Sequence, residues 1–108
     1  MLLIHMKFQI EEKREEEHER RSQLQIYADI LKLIQKRGGL VKPTHILYGA
    51  NLSHARLTKH ISWLLEKNLI TEDMSSGHKL YKLTPKGKAF IDEFKKIEEF
   101  SDAFGVPI

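Results

Sequence analysis

Leu57, Ile61, Leu64 and Leu65 stand three and four positions apart, a spacing that gives a helix one buried face. Ser53 precedes the run as an N-cap, so the pattern predicts a helix from Ser53 to Lys67. Upstream, Ile26, Tyr27, Ile30, Leu31, Leu33 and Ile34 form a wider stripe that predicts a core helix from Ser22 to Arg37, ended by Gly38-Gly39. Pro43 opens a short helix over Thr44–Tyr48, and Gly49-Ala50-Asn51 turns the chain into the next one. After Asn68, Leu69-Ile70-Thr71 reads as a strand, Ser75-Ser76-Gly77 as a turn, and Lys79–Leu83 as a second strand with Tyr81 and Leu83 on one face. Thr84-Pro85 pairs a cap with a first-turn proline, starting a last helix that carries Phe90, Ile91, Phe94, Ile97 and Phe100 and ends near Gly105.

The order helix, short helix, helix, hairpin, helix predicts a mainly α fold with a small β-hairpin, namely a winged helix-turn-helix plus a C-terminal helix. Three segments follow: a charged arm over 1–22, the winged helix-turn-helix over 23–84, and a C-terminal dimerisation helix and tail over 85–108. Residues 11–21 are charged on every face, which suits a solvated helix or disorder.

Charge sharpens this picture more than composition does. The 108 residues carry a formal net charge of +3, and both flanks sit at −1 while residues 23–84 hold +5. The absence of cysteine rules out disulfides, thiolate metal sites and cysteine nucleophiles. The opening apolar residues are too few for a signal peptide or a membrane span, so a cytoplasmic, nucleoid-associated location is expected, with no membrane partner. A catalytic role is not expected: no glycine-rich phosphate loop, metal-spaced cluster or supported Ser/His/Asp grouping occurs, and no cofactor is implied.

Three runs resemble a known family. They are Ile46-Leu47-Tyr48-Gly49-Ala50-Asn51-Leu52-Ser53, Leu64-Leu65-Glu66-Lys67-Asn68-Leu69-Ile70 and Tyr81-Lys82-Leu83-Thr84-Pro85-Lys86-Gly87. Together they look like the small archaeal winged-helix DNA-binding proteins, over roughly residues 23–100. The resemblance implies a dimer paired through the C-terminal helix and duplex DNA bound by the helix matching Ser53–Lys67. This chain departs from that family in its short C-terminal helix and its charged N-terminal arm.

On the predicted helix, Ala55, Lys59 and Ser62 lie opposite the buried face, with Arg56 and Trp63 at its edge. A short first-turn side chain followed by cations lets a helix approach a duplex, with Arg56 suited to a guanine edge and Lys59 to phosphate. Ser53 is a cap that can also meet phosphate, and His54 and His60 are further contact candidates. Thr44 and His45 start the helix that crosses the backbone in this architecture, while His78 and Lys79 sit near the wing tip beside the opposing charges of Glu72 and Asp73. Lys42 is a further candidate contact. Trp63 and Tyr48 read as packing residues, Trp63 against the charged arm or a partner chain. Phe90, Phe94, Ile97 and Phe100 read as a dimer seam.

The leading expectation is thus a DNA-binding transcription regulator, repressor-type or architectural, acting as a homodimer on double-stranded DNA without a small-molecule ligand. The alternative is a winged-helix protein–protein interaction module that does not bind DNA.

Overall fold

The computed structural model describes residues 21–108, so the expected charged arm lies almost wholly outside the described residues. Four helices and three short strands follow: α1 (Gln23–Lys36), β1 (Leu40–Val41), α2 (Pro43–Gly49), α3 (His54–Glu66), β2 (Ile70–Asp73), β3 (Leu80–Leu83) and α4 (Pro85–Phe104). The helices and the hairpin fall where the apolar spacing puts them. Strand β1 is the element that spacing misses, because two residues cannot show a period.

The sheet runs β1-β3-β2 and is antiparallel throughout. Leu40 and Val41 pair with Lys82 and Tyr81, and Ile70 to Asp73 pair with Leu83 to Leu80. The Leu83 amide also donates to the Gly39 carbonyl at 2.9 Å, so the base of the hairpin is tied to the end of α1. Ile30, Leu31, Ile34, Ile46, Leu64 and Ile70 are fully enclosed between the helices and the sheet.

Two tight junctions set the angle of α3. Asn51 takes a left-handed backbone (φ 54°) between α2 and α3, a conformation that asparagine tolerates better than most side chains. Asn68, at φ 59°, does the same where α3 gives way to β2. There the Thr84 hydroxyl lies 2.7 Å from the Asn68 carbonyl and 2.9 Å from that of Leu69, and it accepts the Gly87 amide at 2.9 Å. The Lys86 ammonium donates to the Lys67 carbonyl at 2.9 Å. A Cβ on Gly87 would stand 2.2 Å from the Leu69 carbonyl oxygen, so only glycine lets α4 come this close. The Thr-Pro-Lys-Gly run is therefore a clamp that fastens the start of α4 to the end of α3.

The C-terminal helix departs from its sequence expectation. Phe94 is only 1% exposed and belongs to the core of its own chain, with the Lys32 ammonium 4.9 Å from its ring centroid. Phe90 packs partly buried against the same core. Phe94 is thus enclosed and Phe90 half-buried: α4 spends its first half covering α1, reinforced by a Lys32–Glu98 ion pair at 2.7 Å. What remains open is the distal stripe of Ile97, Phe100 and Phe104, which are 42%, 61% and 70% exposed.

Candidate nucleic-acid interface

Helix α3 starts where Ser53 accepts the Arg56 amide on its hydroxyl at 3.3 Å and the Leu57 amide on its carbonyl at 2.9 Å. The cap fixes the first turn and leaves the positive end of the helix facing outward. Leu57, Ile61 and Leu64 then turn into the core, and His54, Ala55, Thr58, Lys59 and Ser62 form the exposed row. Ala55 and Ser62 keep the centre of that row low, so the peptide backbone itself can come close to a large ligand. Thr58 directs its hydroxyl back to the His54 carbonyl at 3.0 Å and adds no bulk outward.

The two edges of this row have different neighbours. On one side Arg56, Lys59 and His60 share a cavity of about 300 Å³ with Arg21, Gln23 and the start of α1. On the other, His54, Thr58 and Ser62 face Glu72 and Lys79 of the hairpin across a second hollow of about 290 Å³. The fold thus brings the expected helix residues Arg56 and Lys59 together at one edge, and joins His54 to the wing residue Lys79 at the other. His78 is exposed at the hairpin tip, and Thr44 is exposed on α2. His45 is half-buried, and its Nδ1 accepts the Lys42 amide at 3.4 Å at the start of its own helix.

His60, a contact candidate in the sequence, does not join the exposed row. It is 6% exposed, set edge-on against the Tyr27 ring with centroids 5.3 Å apart. One helical step from Lys59 rotates it toward α1, and Tyr27 closes over it. Burial holds its imidazole below the usual histidine value, and the nearby charges of Lys59, Arg56 and Arg21 push it the same way. His60 therefore lines a wall and is not a free surface contact.

The aromatic residues divide. Trp63 packs, as its sequence context suggests, but on Tyr27 of its own α1: the rings stack 4.1 Å apart with planes within 1°. Tyr48 does not pack; at 80% exposed it stands out from α2. On the hairpin, Lys79 lies 3.6 Å from Glu72, so each offsets the other's charge. Asp73 is occupied locally, accepting the Ser75 amide at 2.8 Å and its hydroxyl at 2.6 Å. Those bonds hold its carboxyl below the ordinary carboxylate range and shape the turn.

Sequence reasoning missed Arg21. Its guanidinium bonds Asp29 at 2.9 Å and the Ala50 carbonyl at 2.9 Å, bridging α1 to the end of α2. The residue sits at the edge of a run of charges, and nothing in that run distinguishes it from its neighbours. The eight-residue separation from Asp29 is no helical contact spacing either.

A capped helix with a low, polar outer row, preceded by a short helix and followed by an antiparallel hairpin, is a recurrent arrangement. The winged helix-turn-helix family model matches residues 20–102. The chain belongs to the winged helix-turn-helix family. No curated protein matches this winged-helix chain significantly in sequence. Among solved structures it is similar to Sso10a-2, a DNA-binding protein from Sulfolobus solfataricus, with 26% identity and a TM-score of 0.61 over 76% of this chain and 86% of that one. It is also similar in fold to F93 from STIV, a winged-helix DNA-binding protein, with 23% identity and a TM-score of 0.58 over 68% of this chain and 86% of that one. A third, BpsR of Bordetella bronchiseptica, shares 18% identity and a TM-score of 0.65 over 98% of this chain and 80% of that one.

Proposed function

We propose that this protein binds duplex DNA as a homodimeric transcription regulator, repressor-type or architectural, with α3 in the major groove. The observation that carries the reading is the exposed row of α3. A capped helix start, small residues at Ala55 and Ser62, and the cations Arg56 and Lys59 at one edge together match what a duplex demands of a docking helix. The excess positive charge of residues 23–84 supports it, as does similarity to the DNA-binding Sso10a-2. Thr44 and His45 would meet the backbone from α2, and His78 and Lys79 would reach it from the wing. The proposed role is binding without catalysis, in keeping with membership of the winged helix-turn-helix family.

Pairing would use the distal stripe of α4. Ile97, Phe100 and Phe104 follow a three-and-four spacing on one side of the helix, where two such helices can interdigitate.

Fluorescence anisotropy of a labelled random duplex against salt tests the main reading. Roughly four to six phosphate contacts give log K falling against log salt with a slope of about −4 to −5. The double variant Arg56→Ala, Lys59→Ala should lower that slope by about two while the circular dichroism spectrum stays unchanged. The Glu72–Lys79 pair, which cancels a wing cation, favours the second reading of a protein-binding module. Absence of duplex binding even at low salt would select it.

A further inference from the structure

In the proposed complex the outer row of α3 meets the base edges, and the groups able to tell one base from another are few. Between His54 and Ser62 the helix carries no Asn or Gln, the side chains that read adenine, and no acid to accept from cytosine N4. Lys59 suits guanine or phosphate, and the Ser62 hydroxyl can bond any base edge, so neither singles out an A·T pair. What stays is hydrocarbon. Ala55 is exposed and has only its methyl group to offer. Thr58 stands three positions further on, a surface neighbour of Ala55, and is exposed at the rim of the hollow between α3 and the hairpin.

The two groups on the Thr58 Cβ are not equivalent. Its hydroxyl is already committed, donating to the His54 carbonyl at 3.0 Å. That bond takes the hydroxyl out of competition for base edges and leaves the methyl as the group open to a ligand. It also selects one of the two χ1 rotamers that threonine adopts in a helix, so the methyl is held in one position before DNA arrives. In the major groove a single base carries a methyl group, thymine at C5, and apolar side-chain atoms are its partners. Removing both methyl groups from water is favourable without any change of charge, so this contact adds to those made with phosphate.

Resting on the DNA-binding reading, we propose that Thr58 is a specificity-determining residue of α3: its fixed methyl, beside that of Ala55, recognises the C5 methyl group of thymine.

Two duplexes test this. One is alternating adenine–thymine DNA; the other has uracil in place of every thymine and so lacks only the C5 methyl groups. Every base pair carries the difference, so the register of α3 along the groove does not matter. Fluorescence anisotropy with the full chain should show about fourfold weaker binding to the uracil duplex, the size expected for one buried methyl group. Thr58→Ser keeps the hydroxyl and its bond to the His54 carbonyl but lacks the methyl, and should lose most of that difference. Thr58→Val keeps a methyl and lacks the hydroxyl, and should retain it. Equal affinity of the parent chain for the two duplexes, or undiminished discrimination in Thr58→Ser, would overturn the assignment and leave duplex binding itself standing. Binding to neither duplex would sink the DNA reading, and the methyl contact with it.

Discussion

At the scale of single residues, His60 shows how one position of rotation changes a side chain's chemistry. Lys59 faces solvent, while His60 is enclosed beside Tyr27 and kept neutral by burial and neighbouring cations. Its folded value lies below the unfolded one of about 6.5, so the unfolded chain takes up the proton first as pH falls. The stability it contributes is complete above that value and declines as pH drops through it toward the folded value. His60→Phe keeps a ring against Tyr27 and removes the titration. Denaturant unfolding at pH 7.5 and 5.5 should therefore show a smaller pH loss in the variant than in the parent, and equal losses would refute this account. The sequence placed His60 on a helix correctly but could not show which neighbour would cover it, because Tyr27 lies far back in the chain.

Among elements, the joint between α3 and α4 matters most, since it fixes the helix expected to meet DNA to the helix expected to pair. Replacing Gly87 with alanine would drive a methyl group into the Leu69 carbonyl, where backbone must move. A loss of about 1–3 kcal/mol is expected, read as a lowered denaturation midpoint with an unchanged slope. An unaffected midpoint would mean that the clamp yields easily. The run Thr84-Pro85-Lys86-Gly87 was legible as a cap and a helix start, because those preferences are local. The closeness of Gly87 to Leu69 was not, since contact across eighteen positions leaves no periodic trace. The same limit explains β1: Leu40 and Val41 become a strand only because Tyr81 and Lys82 offer them an edge.

For the whole molecule, the proposed dimer turns on which part of α4 is left open to a second copy. Sequence spacing alone groups Phe90, Phe94, Ile97 and Phe100 into one stripe, yet the fold claims the first two for its own core. A stripe on a helix gives its direction but not how far along it the intramolecular neighbour extends; here Phe94 is enclosed, while Ile97 and Phe100 beyond it are exposed. For the proposed dimer the sensitive position is therefore Phe100. Phe100→Glu should yield a folded monomer by light scattering, while Phe94→Glu should unfold the chain. A dimeric Phe100→Glu protein would move the interface away from α4.

The stacked pair of Trp63 and Tyr27 gives the molecule a built-in optical gauge. Trp63 is the only tryptophan in the sequence, and it sits in direct ring contact across the α1–α3 boundary. Its emission is sensitive to any sliding of α3 against α1, and so to events at the cationic cavity one turn away, in the unmodified protein and without a dye.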